Sequence, residues 1–381
     1  MAPLLVYRDK LLPPSETFVL RHYDCLERYQ PILVGLRRVA GGLSLAPHPA
    51  HLLAEAGGAS AEALFRLTGR SRIIDSWITR DAPVAIHAHF GKSGARILPT
   101  ALRHDLPLIV SFHGGDATKE THFRPFWRTA SVFALRRKAL ARHAALFLTD
   151  SGYLSERLAA RGFPPDRMRV HHIGIDTSAY RPGPEDARRR EVVFVGRFVE
   201  KKGLPILIEA MRLVQASAPD IALVLIGDGP ERAAVEAAAR DLPAAQMRGW
   251  QSPEAVRAAV AGAMIVAVPS VIARNGDCEG LPSVIYEAAA LATPVVATRH
   301  SGIPEAVRHG ETGLLVAERD APALARAILE LAQSPEARAR FGAAARALAE
   351  RDLDVAVRGR ALERMLDEAI AAHRSAARRA P

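Results

Sequence analysis

Short β-branched runs alternate with longer stretches of helical period along most of this chain, and no other feature restricts its possible folds as strongly. A strand followed by a helix returns to its sheet by a crossover, so repeated alternation gives parallel sheets covered by helices. In the first half the runs Val84–Ile86, Leu108–Phe112, Leu146–Leu148 and Met168–His171 predict strands. In the second half Val192–Val195, Ala222–Ile226, Met264–Val268 and Val295–Ala297 do so. Between the sets lies Tyr180-Arg-Pro-Gly-Pro-Glu-Asp-Ala-Arg-Arg-Arg190, where Pro and Gly break any regular element and a charge run follows. The expected organisation is α/β, with two Rossmann-like, doubly wound domains over 1–182 and 183–352 facing a central cleft. A C-terminal helix and tail over 353–381 follow, the helix itself expected from Leu353 to about Ser375. A length of 381 residues, at roughly 150 per domain, agrees with two domains.

Composition removes several classes. The longest apolar run, Ala258–Val268, has 11 residues, well short of the roughly 20 that span a bilayer. The opening MAPLLVYRDK reaches charge at Arg8 before a signal-peptide core can develop, so the expected location is cytoplasmic. Two cysteines, Cys25 and Cys278, make neither a disulfide framework nor a zinc site. The net charge of +10 is unevenly spread: residues 1–185 hold 25 Lys and Arg against 16 Asp and Glu, and residues 186–381 hold 26 against 25. An anionic partner is expected for the first half. A nucleic-acid binder would use that charge, but with aromatic residues at 6% and no recognition motif, no nucleic acid is expected as a partner.

The segment PSVIARNGDCEGLPSVIYEAAALATPVVATRHSGIPEAVRHGETG, Pro269 to Gly313, carries the most chemistry. Pro282 suits the first turn of a helix that continues through Ser283–Ala292. Glu279 then stands just before a helix N-terminus and Glu287 inside it, beyond a strand C-terminus, where open α/β sheets bind ligands. The N–H groups of Gly280, Leu281 and Ser283, with the helix dipole, favour a phosphate. A second constellation follows Val192–Val195: Gly196 allows close approach to the backbone, Arg197 can fork two phosphate oxygens, and Lys202 adds a point charge. Gly227-Asp-Gly-Pro-Glu231 imitates a dinucleotide fingerprint, but Arg232 stands where the third glycine belongs, so no NAD site is expected. In the first half His87-Ala-His89-Phe-Gly91 and Ser111-Phe-His113-Gly-Gly-Asp116 each follow a strand. The lone Asp-x-Asp, Asp352-Leu-Asp354, reads as a helix N-cap, and no metal or other cofactor is expected.

Together these residues resemble a retaining glycosyltransferase of GT-B fold in the large family 4. The likeness rests on GRFVEKKG, on EGLP with Glu279 and Glu287 eight residues apart, on the tail Pro294–Val316, on VSFHGGD, and on TDSGYLSERLAARGFPPDRMRVHHIGID. PPSETFVL with HAHFG is similar to enzymes of exopolysaccharide and colanic-acid type. The resemblance implies that the C-terminal helix crosses back to the first domain. It implies catalytic or donor-binding roles for Arg197 and Lys202 at the nucleotide diphosphate, Glu287 at the ribose hydroxyls, Glu279 and His113 at the donor sugar, and Gly196, Gly280, Leu281 and Ser283 around the phosphates. His87, His89 and Asp116 fall on the acceptor side. The substrates implied are a UDP- or GDP-sugar as donor and a lipid-linked or oligosaccharide acceptor, and base contacts fall near Gly249-Trp250. Two positions depart from the pattern: Pro13-Pro14-Ser15-Glu16 replaces a Gly-Gly loop, and Thr293 stands where Gly usually precedes Pro294. The segment Phe123–Arg142 sets Phe126, Trp127 and Phe133 among six basic residues and no acidic one, which predicts a helix lying on an anionic membrane surface, peripheral on the inner face of the plasma membrane. A catalytically idle sugar-nucleotide binder is the alternative; the full set Arg197, Lys202, Glu279 and Glu287 argues for an enzyme.

Overall fold

Each half of the chain builds one parallel sheet. The computed structural model describes residues 1–13, 16–119 and 132–379. The first sheet comprises β1 (Ala2–Leu11), β2 (Tyr29–Arg38), β3 (Ala50–Leu52), β4 (Ala85–His89), β5 (Leu108–Phe112), β6 (Leu146–Thr149) and β7 (Met168–Val170), in the order β3-β2-β1-β4-β5-β6-β7. The second comprises β8 (Arg189–Val195), β9 (Ala222–Ile226), β10 (Ala245–Gly249), β11 (Ala263–Val268), β12 (Val295–Thr298) and β13 (Gly313–Val316), in the order β10-β9-β8-β11-β12-β13. Every strand pair is parallel. In both sheets the strand order reverses beside the first strand, at β1/β4 and at β8/β11, and such a switch point opens a crevice beyond the strand C-termini.

All eight predicted strands form, and β1, β2, β3, β10 and β13 join them. β1 carries Arg8, Asp9 and Lys10, charges that read locally as solvent-facing. Asp9 is instead buried, accepting from Tyr7 Oη at 2.9 Å and paired with Arg96, while Arg8 pairs with Glu16 at 2.6 Å. β4 corrects an expectation. It runs on through His87 and His89, which therefore lie within the strand rather than in a loop after it.

Alternation along the strands supplies two apolar faces. In the first sheet Leu5, Tyr7, Val34, Leu36 and Ile86 face one cluster, and Leu4, Val6, Leu33 and Ala85 face the other. That second face is covered by Leu362, Leu366, Ala369 and Ile370 of the helix Val355–Arg379. Glu363 fixes the helix by accepting from the N–H groups of Glu27 and Arg28 at 2.8 and 2.6 Å. The C-terminal helix thus returns to the first sheet. The chain divides by its contacts into Met1–Gly174 with Val355–Pro381, and Ile175–Asp354, so the Pro- and Gly-containing stretch from Tyr180 lies inside the second unit. Thr293 is structural, its hydroxyl donating to Val260 O at 2.9 Å and receiving Arg188 at 2.8 Å. No helix among the described residues is long and apolar enough to cross a membrane.

Candidate active site

Two loops leave the second sheet at its switch point and are locked together. The first runs from the end of β8 through Gly196 and Arg197 to a single 3-10 turn, Glu200–Lys202. Gly203 closes that turn at φ +66°, and a Cβ there would lie 1.9 Å from the carbonyl oxygen of Pro269, at the exit of β11. The fit against β11 therefore requires glycine. Val271 N–H donates to Lys201 O at 2.8 Å and joins the loops again. Gly227, at φ +137°, performs the same service beside β9, since its Cβ would meet Gly196 O at 1.9 Å. The glycines that imitate a dinucleotide fingerprint therefore serve loop packing.

This packing brings Lys202 Nζ to 3.2 Å from Glu279 Oε1 and Lys201 Nζ to 3.7 Å. Lys201 also reaches Asp277 Oδ1 at 3.3 Å and Cys278 O at 3.2 Å. Glu279 is buried, which pushes its pKa up, but Lys201, then Lys202 and His300 pull it further down, to about 2. Burial lowers the Lys201 pKa, and Glu279 and Asp277 outweigh that and raise it. The carboxylate is thus an anion held between two cations, and its Oε1 has an ion-pair contact but no aligned hydrogen-bond donor. Gly196 lies against Lys202, whose Cε would be 3.3 Å from a Cβ added there. Arg197 is exposed and has no ion-pair partner among the described residues.

Pro282 lies one residue earlier than predicted: its extended ψ of 126° makes it the N-cap of the helix Ser283–Ala290. The helix stops two residues short of Ala292, which sits at φ +50°. Glu287 is buried one turn inside it. Among the described residues no acceptor meets the N–H of Gly280, Leu281 or Ser283. Ser301 Oγ donates to Glu279 O at 2.6 Å and steadies the approach to the helix.

Lys201, Ser301 and the pair formed by buried His300 and half-buried Glu318 are members of this site that the sequence does not single out. Lys201 was visible as the neighbour of Lys202. His300 carried no local signal beyond its place in the Pro294–Val316 tail. Trp250, after β10, is 64% exposed.

In the first unit the predicted residues also converge. His87, His89 and His113 form one hydrogen-bonded array with Tyr23 and Asp150. Asp116 accepts from the main-chain N–H of His113 and of Gly91, both at 3.0 Å. Burial raises the Asp116 pKa, against the pull of His113. The His113 side chain is only 3% exposed, so the solvent-facing part of this residue is its main chain. Pro14 and Ser15 of the departing loop lie outside the described residues.

Two parallel sheets, each with the 3-2-1-4-5-6 strand order and with charged loops at the C-terminal ends flanking the switch point, define the GT-B class of glycosyltransferases. Anabaena HepE, solved with UDP and glucose, superposes with a TM-score of 0.77 over 97% of this chain and 100% of its own, at 20% identity. Sucrose-phosphate synthase of Thermosynechococcus elongatus does so with a TM-score of 0.78, over 98% and 100%, at 19% identity. The sequence model for Glycosyltransferase Family 4 matches residues 42–179, and that for Glycosyl transferases group 1 matches residues 179–348. The amylovoran biosynthesis glycosyltransferase AmsK of Erwinia amylovora is 31% identical over 73% of this chain and 69% of its own length. WcaL of Salmonella typhimurium, named for colanic acid biosynthesis, is 31% identical over 65% of this chain, which spans 61% of the WcaL length. The chain belongs to glycosyltransferase family 4.

Proposed function

We propose that this chain transfers a hexose from a UDP- or GDP-sugar to a saccharide or lipid-linked acceptor during exopolysaccharide assembly, with retention at the anomeric carbon. The observation that carries the reading is the buried Glu279 carboxylate, flanked by Lys201 and Lys202 at the start of the Ser283–Ala290 helix. A departing diphosphate develops negative charge, and preorganised cations with unpartnered N–H groups are what stabilise it. Arg197 and Lys202 take the diphosphate oxygens, Gly280, Leu281 and Ser283 offer N–H donors, and Gly196 leaves room for the phosphates. Glu287 receives the ribose hydroxyls, and Glu279 faces the sugar, as does the main chain of His113, whose ring is buried. His87, His89 and Asp116 belong to the acceptor side. The acceptor hydroxyl attacks the anomeric carbon on the face the diphosphate leaves. A new C–O bond forms as the sugar–phosphate C–O bond breaks, and a diphosphate oxygen takes the hydroxyl proton. With the charge supplied by Arg197 and the two lysines, transfer is expected to continue in EDTA. AmsK's name and the HepE complex with UDP and glucose support the donor and pathway class.

The test is nucleoside diphosphate release from a panel of UDP- and GDP-sugars with and without acceptor, and the anomeric configuration of the product by NMR. Donor binding without release in the presence of any acceptor would favour the idle binding module, and an inverted product would overturn retention.

We also propose contact with an anionic membrane surface. The helix Val132–His143 presents Leu135, Lys138 and Arg142 on one face, with Leu135 68% exposed. Phe133 is core, and Phe126 and Trp127 fall outside the described residues. Arg136 donates to Ala95 O, Leu67 O and Thr68 O, and Arg137 to Arg161 O, so these two guanidinium groups serve the fold. Each basic residue near an anionic surface contributes about 1 kcal/mol. Sedimentation with anionic but not zwitterionic vesicles supports the contact, and equal sedimentation by Lys138→Ala/Arg142→Ala would remove this face from it.

A further inference from the structure

Six polar side chains from β4, β5, the loops after β5 and β6, and the segment after the helix Thr17–Arg21 join end to end inside the first unit. Ser111 Oγ meets His87 Nε2 at 2.8 Å, His87 Nδ1 meets Tyr23 Oη at 2.8 Å, and Tyr23 Oη meets His89 Nε2 at 2.6 Å. His89 Nδ1 then meets His113 Nε2 at 2.9 Å, and His113 Nδ1 meets Asp150 Oδ2 at 2.9 Å. His87 and His89 can both join because they are two residues apart on one strand and so share a face. A Tyr hydroxyl and a neutral imidazole each carry one proton, so the chain admits only two consistent orders. In the first, every group donates toward Asp150, and His113 is neutral with its proton on Nδ1. In the second, His113 carries protons on both nitrogens, and His89, Tyr23 and His87 all donate the opposite way, toward Ser111.

We propose that Tyr23 and Asp150 are positioning residues for sugar transfer, acting through this chain to hold His113 in one orientation and to couple its protonation to the tautomers of His89 and His87. The step balances. As Ser111 passes its proton to His87 Nε2, His87 passes one from Nδ1 to Tyr23, Tyr23 one to His89 Nε2, and His89 one from Nδ1 to His113 Nε2. Ser111 is restored by one proton taken up from outside the array, and the added charge appears on His113 beside Asp150.

The surroundings fit a relay whose middle stays neutral. Burial, then neighbouring histidines, hold His87 and His89 well below the usual imidazole range, and burial keeps the Tyr23 phenol protonated. Burial also works against a charge on His113, but Asp150, Asp116 and Glu16 outweigh it and raise its pKa. The other titratable groups facing the array are fixed. His22, with its ring 5.3 Å from His89 and 6.0 Å from His113, donates Nδ1–H to Phe18 O, and His171, 5.2 Å from His22, donates Nε2–H to Arg358 O. Arg8 pairs with Glu16 and lies over Phe90, and His172 bonds the main chain of Asp150.

The proposal rests on the sugar-transfer reading for its kinetic arm alone. In full-length protein labelled with 15N-histidine, long-range proton–nitrogen correlation from about pH 9 to 5 reports each tautomer. The expected result is Nδ1–H on His87, His89 and His113 at high pH. On acidification His113 becomes imidazolium while His89 and His87 cross to Nε2–H at the same midpoint. In Tyr23→Phe, His87 no longer follows, and in Asp150→Asn, His89 keeps Nδ1–H throughout. Tautomers that do not change, or histidines that titrate separately, would overturn the relay in the wild type alone, whether or not a donor is found. With a donor in hand, Tyr23→Phe should lower kcat about tenfold and shift its pH profile while donor KM stays within about twofold. An unmoved pH profile would overturn the positioning role.

Discussion

The main-chain N–H of Glu279 donates to His300 Nε2 at 3.1 Å, so the ring that supports the candidate catalytic carboxylate bears no proton on that nitrogen. A backbone N–H can only donate, and the opposite ring nitrogen, Nδ1, lies 2.6 Å from Glu318 Oε1 and gives its proton there. Burial pushes the His300 pKa below the usual value, more than Glu318 and Glu279 raise it. Glu318 Oε2 in turn accepts from Ile272 N–H at 3.0 Å, so one carboxylate secures both the ring and the loop beyond β11.

Acid should destabilise the fold through its buried histidines. His300 is held below the usual imidazole value of 6.5 and His22 is lowered to about 4, burial being the largest cause in both. A depressed histidine contributes stability that is present above its unfolded pKa and lost as pH falls toward the folded one. His113, with its raised pKa, works the other way: its contribution is complete at low pH and is lost as pH rises through the folded value. Urea unfolding followed from neutral pH toward the His22 value of about 4 should show falling stability, and His300→Gln should flatten part of that slope. Constant stability across the window would contradict neutral burial.

Lys202→Ala and Arg197→Ala should each reduce kcat by on the order of a hundredfold, since removing a preorganised charge at a developing anion costs roughly 3 kcal/mol. Glu279→Gln should depress kcat more than donor affinity, and Glu287→Gln should chiefly weaken donor binding. Steady-state kinetics paired with donor titration separates these outcomes, and matching profiles for the two glutamates would refute their division of roles.

Gly203→Ala should cost stability and activity together. Its backbone sits at φ +66° and the added Cβ would press on a carbonyl that cannot move freely; a loss of about 2 kcal/mol or more is expected. Gly196→Ala meets only the flexible end of Lys202 and the Phe194 ring, each at 3.3 Å. That variant should melt close to the wild type while losing activity through a displaced Lys202. Thermal unfolding and turnover of both proteins test the contrast.

Arg136→Ala should lower stability by about 1–2 kcal/mol, because three carbonyl oxygens lose their shared donor. Lys138→Ala, two positions on and exposed, should leave the melting temperature unchanged. Equal melting temperatures for the two variants would show that the Arg136 contacts contribute nothing.

The parallel sheets and the candidate site of the second unit are legible because their signals are local. Continuous apolar runs mark strands wherever both faces are buried, and Gly196, Arg197, Lys202, Gly280 and Glu279 cluster in two short loops at strand ends. Local pattern could not reveal β1 as a charged strand, since Asp9 is compensated by Arg96, 87 positions away. β10, half exposed at the sheet edge, shows too little apolar alternation to stand out.

What the chain determines by itself is which segments are strands and helices and which loops carry charge, because periodicity and turn chemistry act over a few residues. Tertiary structure alone decided that Lys201 joins Lys202 on Glu279, that His300 accepts the Glu279 N–H, and that His87, Tyr23, His89 and His113 share one line of hydrogen bonds. These partners are 21 to 78 positions apart where they meet Glu279 and 24 to 66 where they meet each other. A buried polar group is stable only beside a partner of fitting geometry, and that condition is set by distance in space, which the order of residues does not state.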